Sequence, residues 1–250
     1  MECIRQAREK FGLEEKSFEK SKLAKVDKET GIIHFFPAKK ICQNFSQIIK
    51  SKEKFSFSGT EIMEIVKKYT THDSWYCSKI NLLLAADSVD LKDHADYIRK
   101  LRWCIRKLAI EYPIKESKCY RGYDCSKEEF DAYKIGENFY IPSFLSSSKN
   151  PKKFYQASNH NTIMIINLNY RPNNAFLVTG KFSIYAEQEE EVLFSCYSKF
   201  RVKKKSINKN FNNKNYEFFI EMEHINEVDS DEENLRNFMC YSFFFNISIR

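Results

Sequence analysis

Three short stretches of this chain carry groups that could do chemistry together: Tyr120-Arg121-Gly122, Phe144-Leu145-Ser146-Ser147-Ser148 and Glu189-Glu190-Glu191-Val192-Leu193. Arg121 lies 25 residues before Ser146, which lies 45 residues before Glu191. In that order they supply a cation, a hydroxyl cluster and paired carboxylates. A guanidinium presents a planar fork of donors that suits phosphate and ribose oxygens. Gly122 has no Cβ, so a planar ring can lie against its backbone amide and carbonyl. Alternate side chains of a strand share a face, which puts Ser146 with Ser148 and Glu189 with Glu191. Two carboxylates on one face repel each other, and one is expected to hold its proton more tightly. Such a set could hold a dinucleotide and break a glycosidic bond within it.

Each stretch alone has a plainer reading. Arg121-Gly122 suits a surface turn with Arg121 paired to Asp124. The serines suit a polar loop that caps a helix before Lys149-Asn150-Pro151. Glu189 and Glu191 suit a solvated strand end, where repulsion costs little. The readings part on whether the intervening elements bring the three stretches together.

Those elements come in two kinds. From Thr60 the pattern is helical for about 50 residues. Ile62, Ile65, Val66 and Tyr69 recur at helix spacing, with Thr60 as a possible cap. The run from Thr70 to Ser74 breaks that helix, and a second is expected from Trp75 through Ala86. In the third, Tyr97, Ile98, Leu101, Cys104, Ile105 and Leu108 form one apolar face, and Pro113 ends it. Beyond Pro113 the period changes. Ile163 to Leu168 is a continuous apolar run suited to a buried strand, and Ala175–Val178, Phe182–Tyr185 and Val192–Tyr197 follow as further strands. Phe200–Lys203 and Tyr216–Met222 read as a closing hairpin across an Asn- and Lys-rich turn at 205–215. Helices first and strands afterwards is an α+β order. No GxGxxG or P-loop is present, so a nucleotide site must be built in another way.

The ends of the chain carry less. Residues 1–30 read as an exposed helix or a loose extension, and Ile32–Phe36 as a short strand of unknown partner. Residues 226–250 turn acidic and then aromatic, as a last packed strand or a tail.

Hydrophobic residues make up 42% of the 250, including 22 Phe and 14 Tyr, which is enough for a real core. No stretch approaches the roughly 20 apolar residues of a membrane helix, so no membrane span is expected. The charged start lacks an apolar signal core, which points to a soluble, cytoplasmic protein. The eight cysteines form no CxxC pair, so no metal site is expected, and their thiols are expected to be reduced. The net charge of +7 attracts anions. The basic run Arg201–Lys205 suits a solvated strand end better than a nucleic-acid patch, and no nucleic-acid-binding motif accompanies it.

Taken together, Arg121, Ser146 and the Glu189/Glu191 pair resemble the arginine–serine–glutamate signature of the mono-ADP-ribosyltransferases, in the arginine-specific branch. The resemblance runs from Glu61 to about Met222. Tyr69-Thr70 followed by Ile80-Asn81 and Leu84 is similar to that family's helical region. Gly136…Phe144-x-Ser-x-Ser and Phe182-Ser183…Glu-x-Glu-Val-Leu are similar to its later strands. One departure is Phe194-Ser195-Cys196, where the family commonly has Ile/Leu-Pro. The resemblance implies helices packed on two small antiparallel β-sheets that form an NAD cleft. It implies a catalytic domain over residues 60–225, an N-terminal extension over 1–59 and a tail over 226–250. It further implies NAD⁺ as substrate, a protein-borne arginine as acceptor, and neither a metal nor a specific nucleic acid. Arg121 and Gly122 would hold the phosphate–ribose part and the nicotinamide amide, and Ser146 the nicotinamide ribose. Glu191 would stabilise charge as nicotinamide leaves, and Glu189 would engage the acceptor. Water in place of arginine would make the same cleft an NAD glycohydrolase, and a degenerate cleft would be a binding module.

Overall fold

The computed structural model describes residues 23–26, 33–50, 54–70, 76–153, 160–168 and 171–226. Two short strands, β1 (Ala24–Val26) and β2 (Ile33–Phe35), pair with each other and precede four helices. These are α1 (Gln43–Ile49), α2 (Gly59–Thr70), α3 (Tyr76–Ala86) and α4 (Ala95–Glu111), with a 3-10 turn at Val89–His94 before α4. The remainder is mostly strand: β3 (Lys118–Tyr123), β4 (Asn138–Ile141), β5 (Leu145–Ser148), β6 (Thr162–Asn167), β7 (Ala175–Leu177), β8 (Glu191–Phe194), β9 (Ser198–Phe211) and β10 (Lys214–Ile225). Helix α5 (Lys127–Ala132) follows β3, and the single turn α6 (Ala186–Glu189) leads into β8. The α+β order expected from the sequence is what the chain forms. The readings of residues 1–22, of the break at 71–74 and of the tail beyond Asn226 lie outside the described residues.

The helical layer follows its apolar patterns. Helix α2 starts on a capping box: the Ser58 amide donates to Glu61 Oε2 at 2.8 Å, and the Glu61 amide donates to Ser58 Oγ at 3.3 Å. The cap is thus Ser58 rather than Thr60, which sits inside the first turn. Helix α3 is apolar nearly all round, and Ile80, Leu82, Leu83 and Leu84 are buried, as a central helix requires. Asp87, in a left-handed conformation just beyond it, accepts from the Asn44 and Phe45 amides at 3.2 and 3.0 Å and so caps α1. Phe45 then stacks on Tyr197 with ring centroids 3.9 Å apart. Along α4, Ile98, Leu101, Cys104, Ile105 and Leu108 form the predicted stripe and are buried. These helices share one core with Phe144, Phe176 and Leu193 from the strands.

The strands pair in one order, β4-β9-β10-β6-β3-β5-β8-β7. This differs from the expected pair of antiparallel sheets in two ways. The ladder is continuous, and β6 runs parallel to β10. The continuity rests on a single point, because β3 pairs with β5 only at Tyr120↔Ser148. The sheet also rolls onto its own core. β8 and β10 stand four places apart, about 19 Å across a flat sheet, yet the Phe194 and His224 rings lie 5.5 Å apart. That inner core joins Leu145, Val192 and Phe194 to Met164, Phe218 and Ile220.

Two details of the strand half depart from the sequence reading. Phe182–Tyr185 is a turn, in which the Phe182 and Ser183 amides both donate to the Thr179 carbonyl. Its apolar residue is an anchor, since Phe182 packs edge-on against Tyr112 and Phe176. The β9–β10 hairpin is far longer than predicted and closes at Asn212-Asn213, both with positive φ, as a two-residue turn demands. No helix among the described residues is long and apolar enough to cross a membrane.

Candidate active site

Arg121 stands on β3 opposite Met164 of β6, one residue past the Tyr120↔Ser148 joint. Beyond that joint β3 and β5 part, and the guanidinium bridges the gap: Arg121 Nη1 donates to the Ser146 carbonyl at 2.5 Å. Burial pushes the Arg121 pKa below its ordinary value. The phenols of Tyr69, Tyr123 and Tyr133 and the Glu191 carboxylate lie close enough to oppose that shift. Gly122 follows in register with Ile163. Asp124, the partner offered by the plainer reading, instead faces His160, with Oδ2 and Nδ1 3.4 Å apart.

Glu191 opens β8 directly opposite Ser148 and is 6% exposed. Its charge acts on Tyr69 as well as on Arg121. Tyr69 is itself buried, and burial raises its phenol pKa well above the ordinary value. Arg121, Ser146, Tyr69 and Glu191 thus converge from β3, β5, α2 and β8.

Glu189 is placed by a different device than expected. It ends α6 rather than lying on the strand, and Glu190 between it and Glu191 has φ of 46°. A left-handed residue turns the chain, so strand alternation does not set the relation of the two glutamates. β5 and the residue after it hold that turn and the start of β8 through three hydrogen bonds. Ser148 Oγ donates to the Glu189 carbonyl at 2.7 Å, the Lys149 amide to the Glu190 carbonyl at 3.1 Å, and Ser147 Oγ to the Val192 carbonyl at 3.1 Å. Lys153 pairs with the Glu190 carboxylate at 2.9 Å. The serine run therefore divides its roles. Ser147 and Ser148 pin the glutamate turn, while the half-buried Ser146 meets Arg121 through its carbonyl.

The helices brace the same turn. Thr70 Oγ1 donates to the Phe182 carbonyl at 2.7 Å, which ties the loop before α6 to the end of α2. Asn81 Nδ2 donates to the Tyr69 hydroxyl at 2.8 Å, and Asn81 Oδ1 accepts from the Phe144 amide at 3.0 Å at the entry to β5. Asn81→Leu would leave both groups without that partner. It is expected to lower the unfolding free energy by about 1–3 kcal/mol, measured as a shifted midpoint in urea. An unchanged midpoint would mean that the bridge does not hold the site together.

Around Arg121 the structure adds residues that the sequence did not single out. Buried Cys125, Glu129 and Tyr133, with the half-buried Tyr123, form a polar shell on the α5 side. One signal for it was present, since Ser126-x-x-Glu129 is a capping-box pattern. Nothing in that pattern says that its glutamate is buried beside Arg121.

Neither a family model nor a curated protein matches this sequence. Solved structures do match the fold. The ADP-ribosyltransferase Vis of Vibrio splendidus, in complex with agmatine, is 20% identical with a TM-score of 0.51, covering 75% of this chain and 84% of that one. Plx2a, an ADP-ribosyltransferase toxin from Paenibacillus larvae, is 18% identical with a TM-score of 0.50, covering 73% and 91%. C3larvin, an ADP-ribosyltransferase toxin from the same organism, is 20% identical with a TM-score of 0.50, covering 68% and 96%. The chain has the fold that these transferases share.

Proposed function

We propose that this chain is a mono-ADP-ribosyltransferase that moves ADP-ribose from NAD⁺ to an arginine side chain and releases nicotinamide. The observation that carries the reading is the convergence of Arg121, Ser146 and Glu191 beside the Glu189 turn, on a fold shared with known ADP-ribosyltransferases. Residues 60–225 supply the catalytic unit in this reading. Part of residues 1–59 backs it, since Phe45 stacks on Tyr197 just beyond β8.

Each group has its own role in the chemistry. Arg121 binds the phosphate–ribose portion of NAD⁺, and the Gly122 backbone holds the nicotinamide amide. Ser146 positions the nicotinamide ribose. The bond that breaks joins the ribose C1′ to the nicotinamide ring nitrogen, and its electron pair leaves with nicotinamide. Positive charge then develops on the ribose, as in glycosidases, and Glu191 stabilises it electrostatically while holding the 2′-hydroxyl. A guanidine nitrogen forms the new bond to C1′, and Glu189 accepts the proton it sheds. Arginine is favoured as acceptor because a carboxylate can both orient a guanidinium and take that proton. The agmatine in the Vis complex is a guanidine of the same chemical class.

The test is nicotinamide release from NAD⁺ by the purified chain, with and without excess agmatine, followed by mass spectrometry of the product. Release that rises with agmatine, together with an ADP-ribosyl adduct, supports the transferase. Release without an adduct makes the chain an NAD glycohydrolase. No release from a folded sample leaves a binding module.

A further inference from the structure

The turn that carries Glu189 is held in an unfavourable backbone conformation. Glu190 ends α6 with φ of 46° and ψ of 48°. A residue with a Cβ seldom adopts that left-handed region, and it persists there only where its surroundings fix it. Asp87, Asn208, Asn212 and Asn213 also have positive φ, but theirs are the short polar side chains that tolerate it. Tyr197 does not have one, and it is fixed by its stack on Phe45.

What fixes Glu190 comes from the segment Ser148-Lys149-Asn150-Pro151-Lys152-Lys153, which the plainer reading took as a polar loop. Ser148 Oγ and the Lys149 amide hold the Glu189 and Glu190 carbonyls. Lys153 reaches further along the turn. Its ammonium donates to the Glu187 carbonyl and pairs with Glu190 Oε1 at 2.9 Å. Glu189 lies between those two points, so one side chain spans the turn on which it sits. The segment is shaped for this reach. The Asn150 amide donates to Ser148 Oγ at 3.1 Å, and the Lys153 amide to the Asn150 carbonyl at 3.1 Å. An ion pair on the open surface contributes little, but here each side chain is only 27% exposed. The hydrogen bond from Lys153 holds the Glu190 carboxyl below its ordinary pKa, so it is ionised at neutral pH. Glu191 is anchored in another way. It pairs with Ser148 in the ladder, and its carbonyl accepts from the Val178 amide at 2.9 Å.

We infer that Lys153 is a positioning residue for Glu189: by clamping the turn from Glu187 to Glu190 it holds the acceptor-side carboxylate in place, and so sets how much ADP-ribose reaches a guanidine rather than water. The inference rests on the roles given to Glu189 and Glu191 under the proposed function. Without the clamp, Glu190 relaxes toward an ordinary φ, and Glu189 is turned away from the acceptor. Bond breaking at the ribose depends on Glu191, whose own anchors do not include Lys153.

The test measures agmatine adduct and total nicotinamide in one sample, for wild type, Lys153→Ala, Lys153→Arg and Glu190→Gln. A misplacement of about 1 Å can cost about a hundredfold, so the ratio of adduct to nicotinamide is expected to fall at least about tenfold in Lys153→Ala. NAD⁺ cleavage without agmatine should stay within about threefold of wild type. Lys153→Arg keeps a cation with several donors at that place and is expected to hold the ratio within about threefold. Glu190→Gln breaks the same pair from its other side and should also lower the ratio. Combined with Lys153→Ala it should lower it no further than Lys153→Ala alone, since both act through one contact. A purely structural Lys153 would lower the melting temperature and reduce both products in proportion, leaving the ratio unchanged. That result overturns the inference, and so does a double variant whose losses multiply. Wild type that forms adducts while Lys153→Ala keeps the same ratio leaves the proposed function standing. Wild type that releases nicotinamide without any adduct overturns both the arginine acceptor and the role of Lys153.

Discussion

Glu191→Gln is expected to slow nicotinamide release about a thousandfold while the chain remains folded. The size follows from charge alone. A carboxylate about 4 Å from a developing unit charge is worth about 4 kcal/mol at an effective dielectric of about 20. That is about three powers of ten in rate. Glutamine keeps the shape of the side chain at a buried position opposite Ser148, so packing changes little. The loss should fall on kcat rather than on KM, because the charge is needed only as nicotinamide departs. Removing the carboxylate also takes one anion from beside Arg121, which favours the phosphates and keeps KM from rising. Single-turnover nicotinamide release, with circular dichroism to verify folding, measures the effect. A rate within tenfold of wild type would remove Glu191 from its proposed role.

That prediction rests on positions legible in the sequence for a local reason. Glu191, Ser146 and Arg121 each sit in a short motif, and their order survives whatever the sheet does between them. The stripe from Tyr97 to Leu108 was equally legible, since one helix face is a local property. The apolar run from Ile163 to Leu168 read correctly as a buried strand. What was hidden depends on pairings distant along the chain. The single joint at Tyr120↔Ser148 connects the two halves of the ladder, and no periodicity reports a joint one residue long. The parallel register of β6 with β10 is likewise a property of two remote segments. The hairpin turn was misplaced because charge and polarity marked all of 205–215 as loop, whereas the chain reverses only at the left-handed pair Asn212-Asn213. Exposed lysines on a long, solvated ribbon look like a loop to any reading based on hydropathy. Within the site, alternation failed at Glu190, since one left-handed residue cancels the strand rule for Glu189. The shell of Tyr123, Glu129 and Tyr133 was invisible because burial of polar residues is decided by what packs over them.

Glu189→Gln should separate the two halves of the reaction. Agmatine-dependent adduct formation is expected to fall at least about a hundredfold, the lower range for loss of a general base. Cleavage of NAD⁺ without agmatine should stay within about threefold of wild type. The separation follows from how the turn is built. The Glu189 carbonyl is held by Ser148, and Glu190 by Lys153, so neither anchor uses the Glu189 carboxylate. Neutralising that side chain leaves both of these anchors in place. A guanidinium keeps its proton up to a pKa above roughly 12, and a neutral amide can orient it without taking that proton. Water needs less help, because an oxocarbenium-like ribose is reactive enough to be trapped by solvent that reaches the cleft. Mass spectrometry of agmatine adducts, set beside total nicotinamide released, gives the two rates from one sample. Equal loss of both would mean that Glu189 acts on the glycosidic bond itself. It would then share the role assigned to Glu191, and the preference for arginine would need another source on the rim of the cleft.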